Sequence, residues 1–299
     1  MEVIRFSASQ LSSLTMCGEA YRREYIDGKT PPASLSMIRG IAGHHAFELA
    51  MTEKKKTGGQ PEDYLMLEAA FECIDGYRPD EKAVYLPPSK EGMTKDACLD
   101  EIKKELKGYM PQISDLMARI VPTEVETAKA IQFKVPSLGP DVWIVVEGRR
   151  DVLGFIPGLV DGEIPAIIDL KTCGKAKSQR DADNSVQMTL YATIQSPLTS
   201  IPIEQIPLAI AFATPKKSDI LLTTRNQTDM DAFMQFLVRA AMVKRAGLFI
   251  PASRDHWKCS PEYCQHFASC AFVGVKSVAE KLTSCGEVEA KIDASEGAE

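Results

Sequence analysis

The sequence predicts one α/β core with a helical insertion and a cysteine-rich C-terminal cap. Helical periodicity dominates the first 120 residues, and β-branched, alternating runs replace it from residue 124 onward. Three cysteines then crowd into the segment CSPEYCQHFASC, residues 259–270. The chain has 299 residues, 44% of them hydrophobic and 25% charged. That balance is ordinary for a globular protein and excludes a disordered or fibrous chain. The longest nearly unbroken apolar run, Ile206 to Ala213, is interrupted by Pro207. It falls well short of the ~20 residues of a membrane span. The opening MEVIRFSASQ lacks the apolar stretch of a secretory signal, so a cytoplasmic location and no membrane partner are expected.

Ser7 to Gln10 reads S-x-x-Q, a capping box that starts a helix carrying Leu11, Leu14, Cys17, Tyr21 and Tyr25 at helical spacing. Asp27-Gly28 and Pro31-Pro32 end it. A second helix is expected over 35–55, with Met37, Ile41, His44, Glu48 and Met51 on an inward stripe. Helices at 62–75, 94–109 and 114–120 make an all-helical insertion, about 60–120, before any strand. Residues 124–135 and 141–153 read as strands joined by the turn Ser137-Leu138-Gly139-Pro140. A turn with Asp161-Gly162 leads to a buried strand at 166–172. A helix at 184–196, strands at 207–213 and 219–224, and a helix at 228–246 complete the core. The reading is a single domain over 1–272, capped by 250–272, with an acidic, disordered tail at 286–299.

The net charge is −6 (35 basic, 41 acidic), and much of the excess lies in the tail GEVEAKIDASEGAE. Between Arg239 and Lys258, five basic residues face Asp255 alone. A basic face on a near-neutral body is compatible with phosphate binding, although a solvated helix face is the plainer reading. Without a secretory signal the eight cysteines are expected to be reduced, which favours metal or cluster ligation over disulfides.

The chemistry centres on strand 166–172, AIIDLKT. Alternation puts Asp169 and Lys171 on one face, so a carboxylate and an ammonium emerge together at the end of an apolar run. An ordinary ion pair is the plain alternative. Antiparallel pairing would bring Asp151, in GRRDVLG, beside Asp169; otherwise it serves Arg149 or Arg150. Two convergent carboxylates suit a hard cation such as Mg²⁺ or Mn²⁺. His44 lies one helical turn from Glu48, and Gln187 one turn from Tyr191.

Taken together, Gly40/His44, Gly148/Asp151, Asp169/Lys171 and Gln187/Tyr191 form the ordered set G-x3-H, G-x2-D, D-x-K and Q-x3-Y. This set resembles the PD-(D/E)XK nuclease superfamily in its RecB-like branch, which includes AddB-type domains, CRISPR-associated exonucleases and phage exonucleases. The opening SASQLSSLTMCGEAYRREYI is similar to that branch as well. Arg150 stands where the superfamily name has proline, and the late cysteines read C-x4-C-x5-C where C-x2-C is more usual.

The resemblance implies a restriction-endonuclease-like core, with a mixed central sheet flanked by helices. It also implies a cation held by Asp151, Asp169, the Leu170 carbonyl and His44, with Glu48 orienting His44. Lys171 would orient the attacking water and steady the developing charge, positioned by Gln187 and Tyr191. Cys17, Cys259, Cys264 and Cys270 would hold a [4Fe–4S] cluster, a structural Zn²⁺ being the chemical alternative.

The expected activity is a metal-dependent DNA exonuclease of phage, recombination or repair processing. Its substrate would be single-stranded or end-containing DNA, and a recombination or single-strand-binding protein is the candidate partner. Lys244, Arg245, Arg254 and Trp257 are the candidate DNA contacts. The competing readings are a non-catalytic DNA-binding or assembly subunit with this fold, a site-specific endonuclease, and a zinc-bound interaction protein.

Overall fold

A computed structural model describes residues 1–160 and 162–273. Strand β1, Glu2–Ser7, runs into helix α1, Ala8–Met16. Ser7 caps α1 in the capping box with Gln10. After Cys17 come the short helix α2, Gly18–Tyr21, and a π-turn at Arg22–Ile26. Strand β2, Ala33–Ser34, precedes the long helix α3, Leu35–Thr57, and α4 spans Asp63–Asp75. Next are β3, Val84–Tyr85, α5, Lys95–Arg119, β4, Val121–Lys134, and β5, Val142–Phe155. Strand β6, Ala166–Thr172, is followed by α6, Gln179–Asp183, and α7, Val186–Thr199. Strands β7, Leu208–Ala213, and β8, Ser218–Thr223, lead to α8, Gln227–Ala246.

Six strands form one mixed sheet in which β5 is the spine. β4 runs antiparallel along nearly the whole of one edge of β5. The other edge is shared: β1 takes Val142–Glu147 in parallel, and β6 takes Val152–Gly154 antiparallel. Gly148 to Asp151 lie between the two, so the sheet is notched at the GRRD segment. β6 continues to β7 in parallel and β7 to β8 antiparallel. Two apolar cores sandwich the sheet. Helices α3, α4 and α5 pack on one face around Phe47, Leu99 and Ile168, and α7 and α8 on the other around Leu190, Leu237 and Ile167. This is the mixed, helix-flanked sheet of a restriction-endonuclease-like fold.

Several expectations about elements need correction. β1 precedes the first helix; it buries only Ile4 and Phe6, too brief an alternation to stand out. The insertion is not all-helical, because β3 lies within it and pairs in parallel with β2, which precedes α3. Residues 94–109 and 114–120 form one helix, α5. Pro111 removes one helical hydrogen bond, but Tyr109, Met110, Ile113, Leu116 and Met117 keep a buried stripe running through it. The first helix breaks at Cys17, whose backbone is extended. On α3 the buried stripe is Ile38, Ala42, Ala46, Phe47, Ala50 and Met51, while Met37 and Ile41 face solvent. The turn residue Asp161, Cys285 and the acidic tail lie outside the described residues.

The chain after α8 docks back on the start. Gly18 N–H donates to Ile250 O at 2.7 Å, and a Cβ at Gly18 would lie 2.6 Å from Ile250 main-chain atoms. Only glycine permits that approach. Arg23 donates to Ser269 O, and the Tyr85 hydroxyl to Pro261 O.

Candidate active site at the notch of the sheet

The notch gathers the motif residues from four elements. β6 carries Asp169, 1% exposed, and Lys171. Lys171 Nζ lies 2.8 Å from Asp169 Oδ2 and donates to Gln187 Oε1 at 2.8 Å. Gln187 Nε2 donates to Asp169 Oδ1 at 2.7 Å and to the Tyr191 hydroxyl at 2.7 Å. Tyr191 in turn donates to Arg149 O. One helical turn of α7 therefore ties the Asp-x-Lys strand to the spine strand. The ammonium is close to Asp169 Oδ2 but off the direction of a hydrogen bond, so that oxygen is buried without one. Burial opposes the Lys171 charge, yet Asp169 and Asp151 outweigh it and hold its pKa above the usual value. Burial also pushes the Asp169 carboxyl up, against the pull of Lys171. The Tyr191 hydroxyl is raised by burial and by Asp169, so it stays protonated.

Gly148 explains its own place in the motif. A Cβ there would meet Tyr191 and Leu190 at 2.8 and 2.9 Å, so glycine lets α7 press onto β5.

Asp151 sits opposite Asp169 in the β5–β6 register, as antiparallel pairing predicts. Its Oδ2 accepts the Leu170 N–H at 2.7 Å and lies 3.4 Å from His44 Nδ1 on α3. Burial lowers the His44 pKa, but Asp151 more than offsets it, leaving the group raised. His44 Nδ1 thus faces Asp151. Glu48, one turn along α3, adds its charge at Glu126 and lines a groove between α3 and α4. Arg150 turns to the α7 side, where it pairs with Glu124 and Gln195, and leaves Asp151 to the site.

Glu126 escaped the sequence reading. Its side chain is 15% exposed and 2.7 Å from Arg149 Nε. Its φ is +49°, a left-handed backbone rare for glutamate within a strand. Burial, Asp151 and Glu48 push its carboxyl up to about 7. The signal was in the hairpin: Glu126 precedes Ser137 by as many residues as Asp151 follows Pro140.

The four predicted cysteines come together. Cys17, Cys259, Cys264 and Cys270 line one cavity of about 40 Å³ between the first helices and the cap. Ala252 N–H donates to Cys17 Sγ at 3.3 Å. Burial, then Cys270 and Cys17, push the Cys259 thiol up; burial does the same at Cys264. Cys73 and Cys98 lie elsewhere, on α4 and α5. Among the described residues, no three His, Cys, Asp or Glu side chains converge closely enough to cage an ion.

The candidate DNA-contact side chains also have partners within the protein. Lys244 lies over the Phe6 and Tyr21 rings, and burial holds its pKa down. Arg245 binds Leu138 O and Glu2, and Arg254 donates to Phe272 O beside the cysteines. Arg245, Arg254 and Trp257 are exposed.

A notched mixed sheet that presents two strand-borne carboxylates and a lysine defines a nuclease-type centre. The sequence profile of the PD-(D/E)XK nuclease superfamily matches residues 5–271, and the chain belongs to that superfamily. Such nucleases generally use divalent metals such as Mg²⁺ or Mn²⁺, and the nuclease fold implies a DNA substrate. No curated protein matches the sequence. Among solved structures, the chain is similar to a Eubacterium rectale protein described as a "putative exonuclease". The two are 14% identical over 95% of this chain and 94% of that one, with a TM-score of 0.48. It is also similar to the protein SSO0001, at 15% identity over 90% and 87% of the two chains and a TM-score of 0.41.

Proposed function

We propose that this nuclease is a Mg²⁺- or Mn²⁺-dependent DNA exonuclease. The observation that carries the reading is the convergence of two strand-borne carboxylates, Asp151 and the buried Asp169, with the Lys171 ammonium 2.8 Å from Asp169 Oδ2. Lys171 offsets one of the two negative charges, and a bound cation would offset the other. Asp151 and Asp169 would hold the cation, with His44 and the Leu170 carbonyl completing the set. An open donor set suits Mg²⁺, which keeps several waters and takes one or two carboxylates. When bound, the cation supplies a more acidic water and polarises the phosphate.

Lys171 remains an ammonium and steadies charge building on the phosphate oxygens. Gln187 holds that ammonium through Oε1, and Tyr191 fixes Gln187 against the Arg149 carbonyl. The complete Asp/Asp/Lys set argues against a non-catalytic subunit.

End-labelled single- and double-stranded DNA, incubated with Mg²⁺, Mn²⁺ or EDTA, tests the reading. Asp169→Ala and Lys171→Ala should each lower the rate by ~10²–10³ or more. Wild-type rates in either variant, or cleavage indifferent to EDTA, would overturn it. For the cysteine cavity the proposal is a [4Fe–4S] cluster. Four thiols that line one small cavity suit a cationic centre, which binds them as thiolates. About four iron and four sulfide per chain supports it, whereas stoichiometric zinc replaces it with a zinc site.

A further inference from the structure

Helix α7 has to hold Gln187 where three partners meet: the Asp169 carboxylate, the Lys171 ammonium and the Tyr191 hydroxyl. Yet Gln187 lies in the first turn of the helix, after the cap Ser185 and Val186. First-turn N–H groups have no partner within a helix, and helix ends fray. Apolar packing gives this turn little support, since Val186 is 40% exposed and Ser185 is half-buried. What grips it is Arg225, 3% exposed, from the link between β8 and α8. Its Nε donates to Thr189 Oγ1 at 2.7 Å, and its Nη2 to Ser185 O at 3.2 Å and Ala182 O at 2.9 Å. Its Nη1 donates to Thr223 Oγ1 at 2.8 Å and Thr224 O at 2.7 Å, which anchors the fork to the end of β8. Every one of these acceptors is a neutral oxygen. Burial holds the Arg225 pKa below its ordinary value, against Asp229 and Asp183. A buried charge without a hydrogen-bonded counter-ion is costly, but a planar fork can tie α6, α7 and β8 together at one point. The grip is on the back of α7, because Thr189 is about 200° around the helix from Gln187. The Thr189 hydroxyl also donates to Ser185 O, and Ser185 Oγ accepts the Met188 N–H. The clamp thus closes around the turn that carries Gln187.

We propose that Arg225 is a positioning residue for phosphodiester hydrolysis: its guanidinium locks the first turn of α7 and so keeps Gln187 bridged between Asp169 and Lys171. The inference rests on the nuclease reading for its effect on rate, and it adds a residue outside the D-x-K and Q-x3-Y pattern. The cleft of about 670 Å³ over Lys171 is lined by Gln187 and Tyr191 but not by Arg225. Arg225 therefore acts through Gln187 and leaves substrate binding alone. Misplacing a catalytic group by about 1 Å costs up to ~10²-fold in rate.

Two readouts on the full chain test it. In nitrogen–proton NMR spectra without added divalent cation, loss of a signal in Gln187→Ala assigns the Gln187 side-chain amide. In Arg225→Lys that amide should exchange with water about tenfold faster or more. In steady-state cleavage, Arg225→Lys should lower kcat about tenfold to 10²-fold and leave KM within about twofold. A double-mutant cycle separates positioning from lost stability. In a Gln187→Ala background, Arg225→Lys should lower kcat by less than about twofold more. Thr189→Val, which removes one acceptor on α7, should act in the same direction more weakly, and Thr189→Ser should keep wild-type behaviour. Phe233→Leu, in the same core on α8, should lower the melting temperature without moving either readout. Circular dichroism confirms that each variant is folded; should Arg225→Lys fail to fold, the two Thr189 variants decide the matter. Unchanged amide exchange in the folded variants, additive losses in the cycle, or an equal response in Phe233→Leu would overturn the proposal. Faster amide exchange in a protein that never cleaves DNA refutes the nuclease reading alone. Cleavage that Arg225→Lys leaves untouched refutes the clamp alone.

Discussion

Glu126 pays a cost in the cation-free protein, because its carboxylate is buried beside Asp151 and Glu48 with one half-satisfying partner in Arg149. Its carboxyl is raised from the usual 4.5 to about 7. Between those values the folded protein binds more protons than the unfolded chain, so stability falls as pH rises through that window. Glu126→Gln removes the slope and keeps the hydrogen-bonding shape. In EDTA it should raise the melting temperature relative to wild type at pH 8, by the equivalent of about 2 kcal/mol. At pH 4.5 the gain should vanish. Thermal melts at the two pH values check this, and an equal effect at both would show that the carboxyl does not titrate in the window.

Elements are set by close approaches that single residues allow. At Gly148, α7 presses Tyr191 and Leu190 onto the spine strand. Gly148→Ala should overpack this contact, costing about 1–3 kcal/mol, and should lower the cleavage rate by displacing Gln187 and Lys171. Denaturant unfolding and single-turnover cleavage read the two effects. Near the first helix break, Glu19 is buried and accepts from Arg22 and Arg23. Arg22, against the opposing effect of burial, and then Arg23 hold its carboxyl below the usual 4.5. A lowered carboxyl contributes stability that is present above 4.5 and is lost as pH falls through the folded value. Glu19→Gln should therefore cost about 1–3 kcal/mol at pH 7. The difference from wild type should close as the pH is lowered below 4.5. Melts across that range check it.

At the scale of the molecule, a cluster held in the cysteine cavity would join Cys17 to Cys270 and close a loop of about 250 residues. Cross-links over long loops stabilise by restricting the unfolded chain, on the order of several kcal/mol in the disulfide analogy. That is a large part of a typical net stability of ~5–15 kcal/mol. Cys17→Ser, Cys259→Ser, Cys264→Ser or Cys270→Ser should bleach the protein and lower its melting temperature and solubility. Cys73→Ser and Cys98→Ser should leave colour and bound iron unchanged. Iron, sulfide and zinc analysis of anaerobically purified protein, with melts of each variant, decides it; neither metal in the wild type would refute the cluster.

The family resemblance singled out the four cysteines that share a cavity, although Cys17 lies far from the others in sequence. The sequence by itself determined the α/β class, the D-x-K strand and the capping box at Ser7, which are local: periodicity, caps and spacing are written within a few residues of one another. It left Asp151 with a choice between Asp169 and the neighbouring arginines. Tertiary structure alone decided that β1 and β6 share one edge of β5 and leave the notch at GRRD. It decided that His44 Nδ1 faces Asp151, since the stripe α3 buries is set by the sheet it lies on. It also decided that Lys244, Arg245 and Arg254 meet ring and main-chain partners. Those outcomes depend on which surfaces meet across long sequence separations. A pattern within one element carries no record of its partner, so propensity and charge runs could not foretell them.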